Sequence, residues 1–186
     1  MISISTKTGD KGESGLANGT RVGKETLIFD VLGTLDELNS WIGLSLTSID
    51  PSFKEHRDFL FQIQDTLFYI GAELAASPTA RFDPSQLQIL DDRCEQLQHA
   101  MEENWVTKFL LPGGTIAAAQ LDVTRCVCRR LERLLVSLHQ KESLRLELLA
   151  YINRLSDYLY VLRCFLNLEA NYKEHPFDTS YSPFFK

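Results

Sequence analysis

Three arginines and one glutamate recur at helical spacing in the second half of the chain: Arg125, Arg129, Glu132 and Arg133. At about 100° per residue, the four side chains fall within about 100° of one another on a helix. Like charges on one face repel, and a bound anion relieves that repulsion. The spacing therefore predicts an anion site, with a triphosphate as the obvious candidate. A basic face that is simply solvated is the plain alternative.

A glycine-rich segment near the amino terminus is a second candidate for anion binding. Residues 6–24 read TKTGDKGESGLANGTRVGK, with five glycines and four basic side chains, Lys7, Lys11, Arg21 and Lys24. Glycines let backbone amides approach a phosphate closely, and the cations would neutralise its charge. The segment lacks the GK[ST] ending of a Walker loop. Its composition predicts an irregular loop, and a mobile terminus without function is the alternative.

Hydrophobic residues spaced by threes and fours predict the helices that would position these groups. Asp50-Pro51 and Asp83-Pro84 are typical helix openings, with Asp as the N-cap and Pro at the first helical position. No convincing strand run is present. The pattern predicts an all-α, up-and-down five-helix bundle with an irregular amino-terminal loop. The expected helices cover approximately residues 26–48, 51–75, 84–101, 115–139 and 144–170.

The same periodicity predicts which side chains form the core. In the last helix the apolar residues keep a 3-4-3-4 spacing, which is typical of bundle packing. The aromatics of the second helix, Phe53, Phe59 and Phe68 among them, are expected in the core. The expected apolar back of the arginine-bearing helix consists of Ile116, Val123, Val127, Leu131, Leu134 and Leu138.

Length and composition limit the classes of function. The chain has 186 residues, enough for one domain with a substantial core, and a net charge of −6. That charge argues against general binding to nucleic acid or anionic membranes. We expect a single domain over 1–186, with a nucleotide-binding loop at 1–25, the bundle at 26–170 and a tail at 171–186.

The four cysteines and four histidines do not form a recognisable metal motif. There is no CxxC and no zinc-finger spacing, so free thiols in a reducing cytosol are the expected state. The histidines do not supply the Glu-x-x-His pairs of a ferritin-like di-iron bundle. No signal peptide or membrane-spanning run is evident in the sequence, which predicts a soluble, cytoplasmic protein.

Five segments, in this order, resemble the PduO-type ATP:cob(I)alamin adenosyltransferases. The resemblance covers nearly the whole chain, and the combination is specific although each segment alone is weak. The segments are TKTGDKG at 6–12 with Ser14 after it, GTLDELN at 33–39, FLLPGG at 109–114, the row from Arg125 to Arg133, and NRLSD at 153–157.

The resemblance implies a trimer of five-helix bundles, with each active site between neighbouring subunits. It implies that Asp36 and Arg125 form an ion pair that shapes the interface and the cobalamin side of the site. Phe109 would crowd the lower face of cobalt, and Glu132 would be associated with Mg²⁺. The implied nucleotide contacts are Thr6, Lys7, Thr8, Gly9, Ser14, Gly15, Lys24, Arg129, Arg130, Leu131, Glu132, Arg133 and Asn153.

The reaction implied by the resemblance needs no protein nucleophile. Co(I) of the reduced cobalamin attacks the ribose 5′ carbon of ATP, and triphosphate leaves. The protein would orient the substrates and stabilise the departing charge with Arg, Lys and Mg²⁺. A corrinoid reductase and an adenosylcobalamin-dependent enzyme are possible partners. A carrier that delivers adenosylcobalamin without turnover is the alternative function.

Two parts of the chain depart from the family pattern. Residues 16–20 read LANGT, where the family commonly has a paired glycine and an acidic residue. The tail at 171–186 has no strong counterpart in the family, and we expect it to be a loosely packed arm.

Overall fold

Five α-helices form the bundle in the computed structural model, which describes residues 7–101 and 109–177. The predicted all-α five-helix fold is confirmed. The helices are α1 Leu27–Ser48, α2 Lys54–Leu74, α3 Ser85–Ala100, α4 Ile116–His139 and α5 Leu146–Glu169.

The helix α4 occupies the middle of the bundle, where it packs against both α1 and α5. Helix α2 packs against α1, and α3 packs against α5. The expected spine of α5 is confirmed, because each of its apolar positions is buried. Burying a large aliphatic side chain contributes about 1.5–3 kcal/mol, so these stripes determine how the helices pack. The spine residues are Ile152, Leu155, Leu159, Leu162 and Leu166.

The start of α2 differs from the prediction. Helix α2 begins at Lys54 rather than at Pro51, and Asp50 is not its N-cap. The carboxylate of Asp50 instead accepts hydrogen bonds from the Ser52 amide at 2.8 Å and the Ser52 hydroxyl at 2.6 Å. Asp side chains form such turns as readily as helix caps, so the Asp-Pro signal placed the turn correctly and the helix start too early.

Three expected core positions are wrong for this chain. Phe68 is 68% exposed on α2, and on α4 Ile116 is 73% and Val123 is 42% exposed. The buried stripe of α4 runs through Leu121 and Leu131, and Val123 lies about 100° away from that stripe around the helix. The apolar surface of α2 and α4 is therefore wider than the bundle interior requires.

The amino-terminal segment contains a small β-hairpin, so the expectation of an entirely irregular loop is wrong. Strands β1 Glu13–Gly15 and β2 Arg21–Gly23 pair in antiparallel register, with Ser14 opposite Val22. The Ala17 amide donates to the Ala75 carbonyl at the end of α2 over 2.8 Å, which docks the turn on the bundle. Strands of three residues are too short to show a period-2 pattern in the sequence.

All four cysteines are free thiols, as expected. Cys126 is exposed, whereas Cys94, Cys128 and Cys164 are buried. Burial raises the pKa of the Cys94 thiol to about 11 and also raises the pKa of Cys128 and Cys164. In the described ranges, none of the helices has the length and apolar character needed to span a membrane. The cytoplasmic location stays a prediction.

Candidate functional site

The predicted basic row lies on the solvent-facing side of α4. Arg129, Glu132, Arg133 and Val136 line an open cavity of about 310 Å³. The Arg133 guanidinium donates to the Arg129 carbonyl at 3.0 Å. Within residues 7–101 and 109–177, the guanidinium of Arg129 has no hydrogen-bond or ion-pair partner. The cavity therefore presents two guanidinium groups, and neither forms an ion pair with a carboxylate of the described residues.

Glu132 is held in place from the neighbouring helix. The Asn153 amide on α5 donates to Oε1 of Glu132 over 2.8 Å. Its other carboxylate oxygen has no donor among the described side chains and backbone groups. The described residues contain no group of three or more His, Cys, Asp or Glu side chains that could hold a metal ion. A Mg²⁺ ion here would thus take one protein carboxylate and draw its other ligands from phosphates and water, as Mg²⁺ commonly does.

The remaining predicted residues of this segment have protein partners. Arg130 forms an ion pair with Glu37 of α1. The Arg125 guanidinium lies over the Tyr160 ring, 5.4 Å from its centroid. Leu131 is fully buried in the core, so its side chain is not available to a ligand in this chain.

Asp36 and Arg125 do not pair with each other within the described chain. Asp36 is exposed on α1 and has no ion-pair partner among the described residues. The ion pair implied by the resemblance stays a prediction, which a neighbouring subunit would have to complete.

The hairpin region gathers several of the predicted nucleotide residues. Lys7 adopts a left-handed backbone with φ of 58°. A Cβ atom on Gly9 would lie only 3.0 Å from Nζ of Lys24, so the ammonium group lies against the Gly9 backbone. Arg21 donates to the Thr8 carbonyl at 2.7 Å and pairs with Glu13, which makes it a brace for this segment.

Three further residues of this region were predicted to contact the nucleotide. Ser14 is partly buried in the middle of β1, opposite Val22, and Gly15 ends the strand. Thr6 lies outside the described residues. Their assignment as nucleotide contacts stays a prediction.

Phe109 begins a second surface, at which the carboxyl-terminal tail returns. The Phe109 side chain is 86% exposed. The Phe177 amide donates to the Phe109 carbonyl at 2.6 Å, and the Leu111 amide donates to the His175 carbonyl at 2.9 Å. Up to residue 177 the tail therefore pairs with the start of residues 109–114, which we call the Phe109 segment. The expectation of a loosely packed arm is wrong for this part of the tail.

The Pro-Gly-Gly turn that follows requires its glycines. Gly113 has φ of 135° and Gly114 has φ of 116°, values that favour glycine strongly. A Cβ atom on Gly114 would lie 2.2 Å from the Asn167 amide. The Gly113 amide donates to Asp122 at 2.8 Å, so the turn is fixed against α4.

A buried arginine behind this turn was missed by the sequence analysis. Arg163 is 1% exposed and contacts Asp122, Glu174 and the Gly113 carbonyl. One turn further along α5, Asn167 accepts from the Thr115 amide at 3.0 Å. The available signal was the pair of polar residues, four positions apart, within the apolar spine of α5.

Most of the chain matches the model of one known protein family. The model of the family described as cobalamin adenosyltransferase matches residues 4–166. The chain belongs to the cobalamin adenosyltransferase family. The match includes the hairpin, the basic row and the Phe109 segment. The resemblance to the PduO-type enzymes is thereby confirmed, and so is the expectation of an adenosyltransferase.

Relatives with this family's name or activity match over almost their whole length. A cobalamin adenosyltransferase from Cupriavidus metallidurans is 44% identical over 168 residues, which cover 90% of this chain and 89% of the relative. A corrinoid adenosyltransferase from Bacillus subtilis is 36% identical over 185 residues, covering 96% of this chain and 94% of the relative.

Solved structures of the family share the fold. A variant of the PduO-type ATP:corrinoid adenosyltransferase from Lactobacillus reuteri, complexed with cobalamin and ATP, has a TM-score of 0.87 and 30% identity. The match covers 94% of this chain and 99% of that one. Another variant of that enzyme, complexed with ATP, has a TM-score of 0.86 and 32% identity, with 94% and 100% coverage.

Proposed function

We propose that this protein transfers the 5′-deoxyadenosyl group of ATP to cob(I)alamin, forming adenosylcobalamin and releasing triphosphate. Co(I) supplies both electrons of the new cobalt–carbon bond, and the bond between C5′ and the triphosphate oxygen breaks. The leaving triphosphate takes that electron pair. The observation that carries the proposal is the open cavity on α4, which presents Arg129 and Arg133 to solvent.

The charges of the α4 cavity indicate the roles of its residues in binding the nucleotide. Arg129 and Arg133 would stabilise the negative charge that develops on the triphosphate. Glu132, oriented by Asn153, would bind Mg²⁺ together with the phosphates. When bound, Mg²⁺ supplies further positive charge to the leaving group. No side chain has to act as nucleophile, which agrees with a site built from arginines, one carboxylate and an amide.

The hairpin would supply the remaining contacts to ATP. Lys24 already lies against the Gly9 backbone, so a phosphate placed there meets an ammonium group and a glycine that does not obstruct it. Lys7, Thr8 and Ser14 would add donors. Arg21 is committed to the Thr8 carbonyl and Glu13, and we assign it to shaping the segment instead of binding the nucleotide.

Phe109 would serve the corrinoid half of the reaction. Its ring is exposed in the single chain. Phe109 comes just before the Pro-Gly-Gly turn, which is fixed against α4 and α5. An apolar ring below cobalt disfavours an axial ligand, and Co(II) without that ligand is easier to reduce to Co(I). The protein would thereby keep the substrate in its reactive state while a corrinoid reductase supplies the electron.

The active site would be completed by assembly into a homotrimer. Both α1 and α2 carry exposed apolar side chains, and exposed apolar surface commonly marks an interface. In such an interface Asp36 would find the arginine that it lacks within the described chain, namely Arg125 of a neighbouring subunit. The exposed side chains are Leu44, Phe61, Phe68 and Tyr69.

Phe68→Glu provides a test of this surface. A charge in a buried apolar interface should convert the assembly to monomers in sedimentation experiments and reduce turnover, while the helical signal persists. Lys54→Glu, at an exposed position on the same helix, is the matched control. An unchanged sedimentation coefficient for Phe68→Glu would exclude this face as the interface.

The central experiment is anaerobic turnover. Purified protein is mixed with chemically reduced cobalamin, Mg²⁺ and ATP, and the loss of Co(I) absorbance is followed together with triphosphate release. Equal rates of both signals support the adenosyltransferase. Binding of adenosylcobalamin without release of triphosphate supports the carrier instead. Persistence of Co(I) while ATP binds would retain the nucleotide site and reject the corrinoid assignment.

A further inference from the structure

Arg163 is the most completely engaged charged side chain behind the Phe109 segment. It is 1% exposed, and each of its three guanidinium nitrogens donates to a different part of the chain. Nε donates to Asp122 of α4 at 3.2 Å, and Nη1 donates to Glu174 of the tail at 2.7 Å. Nη2 donates to the Gly113 carbonyl at 2.9 Å. A buried charge is costly unless it is fully paired, so this arrangement needs an explanation beyond chance packing.

Two segments of the chain connect Arg163 with Phe109. On one side, Nη2 also contacts the carbonyl of Leu111, two residues after Phe109, at 3.3 Å. On the other side, Glu174 lies three residues before Phe177, whose amide donates to the Phe109 carbonyl. The segment that contains Phe109 and the tail segment that pairs with it are therefore both bound to one guanidinium group.

Asn167 supports the same arrangement from the next turn of α5. Its amide nitrogen donates to the Gly113 carbonyl at 3.1 Å and to Glu174 at 2.9 Å. Arg163 and Asn167 thus contact the same two partners. The turn and the tail become one unit with α5, although the Phe109 ring itself is exposed to solvent.

We propose that Arg163 is a positioning residue for the corrinoid half of the reaction, acting through Phe109. This inference rests on the proposed function of Phe109. Arg163 fixes the place of the Phe109 ring against the bundle, so that the ring meets the lower face of the corrinoid. It shares no hydrogen bond with Arg129, Glu132, Arg133 or Asn153 in the described chain, so the nucleotide half is independent of it.

The guanidinium group is required because of its planar fork. An arginine can donate to a carboxylate on each side and to a carbonyl at the same time, whereas a lysine keeps the charge at a single nitrogen. Arg163→Lys therefore preserves the charge but releases at least one of the segments that lead to Phe109. Glu174→Gln is the milder change, since it removes the charge of Glu174 and weakens only the links from the tail to Arg163 and Asn167.

The test measures the effect of each substitution on ATP and on the corrinoid separately. KM is measured for ATP and for the corrinoid, and kcat is measured in the same assays. The fraction of four-coordinate Co(II) is read spectroscopically in the complex of protein, ATP and cob(II)alamin. For Arg163→Lys we expect roughly a 10-fold to 100-fold loss in kcat/KM for the corrinoid and a smaller four-coordinate fraction, as misplacement of a group near the reaction produces. KM for ATP should stay within about twofold.

Arg57→Lys is the matched control. Arg57 is a partly buried arginine that donates to the carbonyls of Leu46 and Ile49 between α1 and α2, far in sequence from the Phe109 segment. Its replacement should lower thermal stability without changing the corrinoid parameters. If Arg163→Lys only lowers stability in the same way, the positioning role is overturned. If Arg163→Lys does not fold, an unchanged corrinoid kcat/KM in folded Glu174→Gln overturns it.

Phe109→Ala distinguishes failure of this inference from failure of the proposed function. A corrinoid defect in Phe109→Ala, with normal behaviour of Arg163→Lys, rejects the positioning role alone. Normal behaviour of Phe109→Ala rejects both the role of Phe109 and the inference built on it. In the double variant the two effects should not add, because Arg163 acts through the ring that has been removed.

Discussion

Two arginine-containing regions on the same pair of helices have opposite surroundings. Near the middle of α4, Arg129 and Arg133 face an open cavity, and the guanidinium group of Arg129 has no partner within the described residues. Near the end of α5, Arg163 is buried and bonded to two carboxylates and two backbone carbonyls. The charge is the same in both places, but only the buried one is satisfied by the protein.

The difference shows that the partners of an arginine, more than its presence, indicate its role. A guanidinium paired by the protein holds segments together, whereas one left to solvent is available to an anion. Arg130 supports this reading, since it lies next to Arg129 but pairs with Glu37 and so joins α4 to α1. Replacing an arginine in each region should therefore affect different quantities.

The largest effect should come from removing the buried charge. Arg163→Ala leaves Asp122 and Glu174 without their cation, which typically destabilises a protein by about 3–5 kcal/mol. Urea unfolding at a fixed protein concentration measures this loss. Arg129→Ala should unfold within about 0.5 kcal/mol of the unmodified protein, as surface substitutions usually do. Similar losses in both variants would remove the distinction between the two regions.

For the rate of triphosphate release, we expect a large effect from replacing Arg129. Arg129→Ala should lower kcat about 10²-fold or more, because one donor to the leaving triphosphate is lost. Initial rates of triphosphate release at saturating substrates measure this change. The matched control is Arg93→Ala, which removes an arginine of α3 that pairs with Glu55 of α2 and should leave the rate unchanged. A folded Arg129→Ala protein with normal kcat would contradict the role of the open region.

A smaller effect should follow from Asn153→Ala. This change removes the donor that orients Glu132, and loss of such a supporting group typically lowers metal affinity about 10-fold to 100-fold. The Mg²⁺ concentration that gives half-maximal activity should rise, and excess Mg²⁺ should restore much of the rate. Titration of the rate with Mg²⁺ tests this. A defect that excess Mg²⁺ does not reduce would assign Asn153 to the nucleotide instead.

The smallest effect is expected at Thr115, where the Pro-Gly-Gly turn meets α4. Its hydroxyl accepts from the Ala118 amide at 3.2 Å and caps the helix. Thr115→Ala should cost about 1 kcal/mol in unfolding, whereas Thr115→Ser should cost little because the cap is retained. Both variants should keep the nucleotide parameters. A change in KM for ATP would show that the two regions are coupled through the start of α4.

The sequence predicted the bundle well because helix periodicity and apolar spacing are local signals. It predicted the outward basic row from four positions on α4 alone. The hairpin was missed because strands of three residues leave no pattern, and its docking depends on a contact between Ala17 and Ala75 that is distant in sequence. The exposed apolar side chain of Phe68 was wrongly assigned to the core, since periodicity does not distinguish a buried apolar face from an exposed one.

The contacts of Arg163 with Asp122, Glu174 and Gly113 were missed for a different reason. These residues come from α4, α5, the Pro-Gly-Gly turn and the tail, so no stretch of sequence contains them together. The tail pairing with residues 109–111 has the same character. Local sequence signals find helices and the faces of helices, but contacts among three or four distant segments depend on the completed fold.

The single exposed thiol among the four allows a label to be attached at one site. Cys126 is exposed on α4 beside Arg125, whereas the other three thiols are buried and the pKa of each is raised by that burial. Because the thiolate is the reactive form, a maleimide dye should attach to Cys126 alone in the folded chain. A dye at that position would lie about one helical turn from Arg129 and would report nucleotide arrival as a fluorescence change. Protection of Cys126 from the reagent in the assembled protein would instead mark this face of α4 as covered by a neighbouring subunit.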